Sequence, residues 1–261
     1  MSYQDSPIGV FDSGMGGVSV LRQLRKLMPR EQFVYFGDCK NAPYGTKSAA
    51  EVQQLTVEAC ESLFSQNMKA LVVACNTATA AAIGILREKW PEKIIVGIEP
   101  ALKLAADRFP GGHLGVMATP LTLREEKFAQ LSHRLSDSHE IFPIPVMGLV
   151  ELVEAGKAES EEAEALLREI LAPYIGNLDA LVLGCTHYPF AANVISKVMG
   201  SRTVLLSGGE GAARQAKKRM EAENLLRSSG EGSVTFTFSG DDGSKIPLAQ
   251  SLLRAQIPEE L

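Results

Sequence analysis

Short runs of Val, Ile and Leu recur along the chain, each followed by a longer stretch whose apolar positions fall at helical spacing. The runs at 8–11, 33–36, 70–74, 94–97, 114–117, 140–144, 180–184 and 203–206 read as strands. Helical patterns lie near 17–28, 48–66, 77–90, 100–109, 120–135, 148–155, 160–174, 189–199 and 209–228. Strands that are apolar throughout, rather than alternating, belong in parallel sheets, where helical crossovers cover both faces. The fold class is therefore α/β, doubly wound. Residues 233–238 (SVTFTF) break the pattern: they alternate like an edge strand with one solvated face, and a short helix follows near 246–254.

The pattern also repeats. Laying LVVACNT over LVLGCTH places Cys75 on Cys185, 110 residues later (185 − 75), and laying IGVFDS over LGVMAT gives an offset of 106 (114 − 8). Similar offsets in the same order predict two copies of one α/β unit. We divide the chain into a first lobe at 1–98, a second at 99–206, and a segment at 207–261 that returns to the first lobe and covers an edge of it. The lobes are expected to face each other about a pseudo-twofold axis, with the active site in the cleft between them.

In open α/β sheets, ligands bind beyond the carboxyl ends of the strands. The polar residues at those ends form a set: Asp12 and Ser13 after the first strand, Cys75, Asn76 and Thr77 after the third, Thr119 and then Cys185, Thr186 and His187 at the corresponding places in the second lobe. Two thiols on opposite sides of one cleft suit removal of a proton from one face of a carbon and delivery to the other, which is stereoinversion. An ordinary thiol ionises near pH 8.5, and a helix start, where unpaired N–H groups gather, favours the anion. Both cysteines are expected just before such a start. Asp12 and His187 are the natural proton partners for the two sides, and the repeat is asymmetric there, with Ala118 in place of Asp12 and His187 in place of Thr77. Hydroxyls, amides and helix-start N–H groups at Ser13, Asn76, Thr77, Thr119 and Thr186 would hold a carboxylate. In DCKNAPYGTKS (38–48), the Gly45 N–H and the Tyr44 hydroxyl offer a grip for a second anionic group.

Composition narrows the field. The 261 residues are 45% hydrophobic and 22% charged with a formal charge of −5, and no Lys/Arg block is interleaved with aromatics, so a nucleic-acid partner is not expected. The most apolar stretch, residues 70–86, is interrupted by Asn76, Thr77 and Thr79 and is too short to span a bilayer. The opening MSYQDSPIGVFDSG lacks the basic flank and apolar core of a signal peptide, which points to the cytoplasm. The four cysteines form no CxxC pair, so reduced thiols are expected, with Cys39 and Cys60 structural. DSGMGG has neither the GxGxxG spacing nor a P-loop lysine, and no nucleotide cofactor is expected. A zinc site of Cys75, Cys185 and His187 has suitable donor types but no close-spaced ligand pair, so no metal is expected. His113, His133 and His139 carry no motif.

FDSGMGG (11–17), NAPYG (41–45), ACNTAT (74–79), GIEPALK (97–103) and GCTHYP (184–189) resemble the cofactor-independent aspartate/glutamate racemases, and among them those that act on glutamate. The resemblance runs from residue 7 to about 215. It implies an isomerase that interconverts L- and D-glutamate through Cys75 and Cys185 as two acid/bases, without cofactor. It implies substrate contacts at Asp12-Ser13, Tyr44-Gly45, Asn76-Thr77 and Thr186-His187 with Thr119 beside them, and a supporting acid at Glu151 near the second thiol. It also implies a homodimer that supplies D-glutamate for peptidoglycan. The alternatives are a racemase of aspartate or another amino acid, a thiol-dependent decarboxylase on the same scaffold, and a two-lobed amino-acid-binding protein without catalysis.

Overall fold

The computed structural model describes residues 3–240 and 243–258. The outermost residues of the expected first lobe and returning segment, 1–2 and 259–261, together with 241–242, lie outside the described residues, as do the first two of the stretch weighed as a leader.

The described strands build two sheets, parallel throughout. The first contains β1 (Ile8–Asp12), β2 (Gln32–Gly37), β3 (Ala70–Val73), β4 (Ile94–Gly97) and β9 (Ser233–Phe238) in the order β4-β3-β1-β2-β9. The second contains β5 (His113–Ala118), β6 (Glu140–Pro145), β7 (Ala180–Leu183) and β8 (Val204–Ser207) in the order β6-β5-β7-β8. The central strands β1, β3 and β7 are buried at every position, as continuous apolar runs require. Each Val or Leu so buried contributes about 1.5–3 kcal/mol. The expectation of two doubly wound α/β lobes holds.

The repeat is visible in the topology. Setting β9 aside, both sheets have the second strand, the first, the third and the fourth in that order. The ladder register agrees as well: Ile8 pairs with Ala70 in the first sheet and Leu114 with Ala180 in the second, and offsets of 106 and 110 carry one pair onto the other.

β9 runs parallel to β2 at the edge of the first sheet, and α10 (Gly209–Ala222) packs on α1 (Val18–Leu27), with α11 (Ile246–Arg254) beside α1. Lys69, fully buried at the amino end of β3, ties this segment down. Its ammonium meets Glu31 at 2.6 Å and donates to the carbonyls of Gln4 and Leu225, both at 2.8 Å. Glu31 in turn accepts from the Arg227 amide at 2.8 Å.

Two helical patterns are broken where continuous helices were expected. The stretch 120–135 splits into α5 (Pro120–Arg124) and α6 (Glu126–Leu135), because Glu125 turns extended between them. After Cys185, the α-helix starts only with α9 (Ala192–Met199), preceded by a 3-10 turn over Tyr188–Ala191 that contains Pro189.

Candidate active site

In each sheet the chain leaves the first strand to one side and returns on the other, so a gap opens at the carboxyl ends between β1 and β3, and between β5 and β7. The two gaps face each other across a cleft of about 640 Å³, its open mouth included. From the first sheet's side it is lined by Ser13, Tyr44, Gly45, Cys75, Asn76 and Thr77. From the second it is lined by Thr119, Cys185, Thr186 and His187, with Glu151 and Glu154 of α7 (Leu149–Glu154) near them. Both sulfurs reach it from residues that are otherwise buried, Cys75 at 5% exposure and Cys185 at 8%.

The two thiols stand in different surroundings. Cys75 is the N-cap of α3 (Asn76–Lys89), and its sulfur accepts the Ala78 amide at 3.4 Å. Ser13 Oγ lies 3.4 Å from the same sulfur. Burial pushes the Cys75 thiol up to about 12, reinforced by the charge of Asp12, and the hydrogen bonds from Ser13 and Ala78 only partly offset it. Cys75 therefore rests as a thiol. The helix start was expected to favour its anion; desolvation outweighs that effect.

Cys185 is not a helix cap, contrary to expectation. The 3-10 turn that follows it folds His187 back so that Nδ1 lies 3.7 Å from Sγ. The other ring nitrogen, Nε2, lies 3.0 Å from Glu154 Oε1. Burial opposes a charged imidazole here, yet the Cys185 sulfur, Glu154 and Asp12 together raise His187 well above its ordinary value. A protonated His187 has an N–H for each neighbour, one for the sulfur and one for the carboxylate. Glu154 is held below the usual carboxylate range: burial works against this, and His187, the Met15 amide at 3.1 Å and Lys245 overcome it. Gly16 is required at its position, since a Cβ there would lie 2.4 Å from His187 Nδ1.

Asp12 is wholly buried and stands behind the cleft wall rather than in it. Its carboxylate accepts from the Gly14 amide at 2.9 Å and from the Thr186 hydroxyl, across the lobes, at 3.1 Å. Burial raises its pKa, and His187 and these hydrogen bonds hold it back. The Tyr44 hydroxyl does not point to an incoming anion as expected. It donates to Asp38 Oδ2 at 2.6 Å, a charge-assisted bond that a solitary ligand oxygen would have to displace. Gly45 sits against the other lobe, where an added Cβ would come 2.7 Å from Thr119 Cβ.

Sequence reasoning missed three of the groups that organise the site. Glu151 was expected to support the second thiol, but it is exposed at the cleft, and Glu154, one turn on, holds His187. The signal was the acidic pair in GLVELVE, whose spacing leaves the choice to the helix's rotation. Asp38 gathers Tyr44, Asn41 at 3.0 Å and Ser239 of the segment after β9 at 2.6 Å. Thr122 joins Thr77 and Thr119 behind the cleft. Among the described residues, no group of three or more His, Cys, Asp or Glu side chains is placed to hold a metal ion. No helix among them is long and apolar enough to cross a membrane.

Known proteins are similar to this chain in sequence and in fold. The family model described as Asp/Glu/Hydantoin racemase matches residues 8–216. A glutamate racemase of Clostridium kluyveri is 52% identical over 222 residues, covering 84% of this chain and 86% of the relative. One of Clostridium botulinum is 44% identical over 257 residues, 98% of this chain and 100% of the relative. The crystal structure of glutamate racemase from Francisella tularensis in complex with D-glutamate superposes with a TM-score of 0.85 at 28% identity, covering 98% of this chain and 96% of that one. A repeated α/β unit with a cysteine at each matched strand end, together with similarity over nearly the whole chain, places this protein in the Asp/Glu/hydantoin racemase family.

Proposed function

We propose that this protein is a glutamate racemase that inverts Cα with two thiols and no cofactor. The observation that carries the reading is that Cys75 and Cys185, one from each lobe, line a single cleft with different partners. In the L to D direction the Cys185 thiolate, beside protonated His187, takes the α-proton. The resulting carbanion takes the proton of the Cys75 thiol on its other face. The thiolate is then on Cys75 and the thiol on Cys185, the pair that serves the reverse reaction. Positioned acid/base groups of this kind contribute about 10²- to 10⁴-fold to rate. Closure of the lobes excludes water that would otherwise quench the carbanion.

Ser13, Asn76, Thr77, Thr119, Thr186 and the Gly45 N–H are the substrate-holding groups. Asp12 and Glu154 act behind Thr186 and His187, while Tyr44 forms the wall. Glutamate, rather than aspartate, is supported by the activity named for the similar proteins of Clostridium and by D-glutamate in the Francisella tularensis complex. The division at 1–98, 99–206 and 207–261, the cytoplasmic location, the homodimer and the supply of D-glutamate to peptidoglycan belong to the same proposal.

The test is solvent exchange. Purified protein, treated with chelator, is incubated with L- or D-glutamate in D2O, and optical activity is followed alongside deuterium at Cα. Decay to zero rotation with deuterium in the product supports the reading. Faster turnover of aspartate, or binding of glutamate without exchange, overturns it in favour of the alternatives.

A further inference from the structure

Thr77 and Thr119 face the cleft from different lobes, and behind them is a third threonine that does not line it. Thr122, in the first turn of α5, lies on the side of both away from the cleft. There, with Asn76, Thr79 and Ile98, it borders a separate cavity of about 800 Å³. The three hydroxyls form a closed triangle, with Oγ1 separations of 3.2 Å for Thr77–Thr119, 3.1 Å for Thr77–Thr122 and 3.0 Å for Thr119–Thr122. The Thr122 amide also donates to the Thr119 hydroxyl, at 3.4 Å. All three residues are buried.

Each hydroxyl has one proton to donate, so three protons serve three edges and the empty triangle is satisfied within itself. An anionic oxygen entering the cleft reaches Thr77 and Thr119 but not Thr122. When those two turn their O–H groups outward, the edge between them has no proton left. Thr122 then supplies the one donor that remains in the triangle. We infer that Thr122 is a positioning residue: its hydroxyl donates to the Thr77 oxygen and its amide to the Thr119 oxygen, which holds those two, one from each lobe, at the spacing from which both donate to one substrate carboxylate. A hydroxyl that accepts from Thr122 is also polarised into a stronger donor toward the anion. The inference rests on the racemase reading above.

Thr122→Val keeps the branched shape and removes the hydroxyl, whereas Thr122→Ser keeps the hydroxyl and removes the methyl. With racemisation followed by circular dichroism, the Val variant is expected to raise KM for both enantiomers about fivefold to tenfold, the size of one hydrogen bond. Its kcat stays within about twofold, and the Ser variant returns KM to within about twofold of the unsubstituted protein. Thr122→Val is expected to add little in a Thr77→Val background, because the Thr122 hydroxyl acts through Thr77. An unchanged KM in Thr122→Val overturns the inference. So does a Ser variant as impaired as the Val variant, which would assign the effect to packing of the methyl. If Thr122→Val fails to fold, Thr122→Ala against Thr122→Ser makes the same comparison. Should the unsubstituted protein not racemise glutamate, the racemase reading fails instead, and calorimetric glutamate binding by the same variants still decides the role of Thr122.

Discussion

Replacing either thiol by a hydroxyl separates chemistry from structure. In Cys75→Ser the new Oγ occupies the N-cap of α3, a position serine favours, and can still accept the Ala78 amide and meet Ser13. The melting temperature is therefore expected to stay within about 2 °C, the shift produced by well under 1 kcal/mol in a chain of this size. Activity is expected to fall steeply. Burial already pushes the thiol to about 12, and an alcohol at the same dry site is a weaker acid still. The loss should reach the upper end of the general acid–base range, about 10⁴-fold or about 5.4 kcal/mol of barrier. The two enantiomers have equal free energy in water, so kcat/KM must fall equally in both directions.

Exchange without inversion is where the asymmetry appears. Cys75→Ser keeps Cys185 and is expected to wash deuterium into L-glutamate alone. Cys185→Ser is expected to do so with D-glutamate alone. NMR of Cα–H in D2O, with optical rotation on the same sample, reads both quantities. Racemisation by either variant within about tenfold of the unsubstituted protein, or exchange of both enantiomers by one variant, would refute the two-base scheme.

Three further outcomes are expected. In Glu154→Gln, His187 loses the carboxylate that helps raise it, so the alkaline limb of the pH–rate profile should move to lower pH, checked by titrating kcat/KM. The sign for stability follows from the two shifts: Glu154, held low, gives stability present above about 4.5 and lost as pH falls, and His187, held high, gives stability present below about 6.5 and lost as pH rises through its folded value. The variant's deficit in denaturant melts should therefore be largest between those values and shrink on both sides. Gly45→Ala forces a methyl to 2.7 Å from Thr119 Cβ, so the lobes must part; an overpacking loss of about 1–3 kcal/mol and a KM raised about tenfold are expected from melts and kinetics. Lys69→Met strands the Glu31 carboxylate in the interior at about 3–5 kcal/mol, with KM unchanged because the pair lies at the far ends of the strands from the cleft. Adding Glu31→Gln should restore most of the melting temperature.

What the sequence determined by itself is local or periodic. Apolar runs such as 70–73 and 180–183 fix buried parallel strands because a strand covered on both faces has no polar side to show. The matched offsets of 106 and 110 carry the repeated topology, since the same register of apolar pairs closes both sheets. Strand-end position alone brings Ser13, Cys75, Asn76, Thr77, Thr119, Cys185, Thr186 and His187 to one cleft.

Tertiary structure decided what each of those groups is. Whether Glu151 or Glu154 meets His187 depends on the rotation of a six-residue helix against the rest of its own lobe, which periodicity leaves open. Tyr44 is committed to Asp38 and not to a ligand because a turn and the segment after β9 converge on one carboxylate. The helix cap at Cys75 promised an anion, but a pKa follows the water removed by both lobes and the tail together, and that desolvation keeps the proton on the sulfur. Local sequence carries strand ends and caps; burial and contacts between residues 62 to 201 positions apart exist only once the chain has folded.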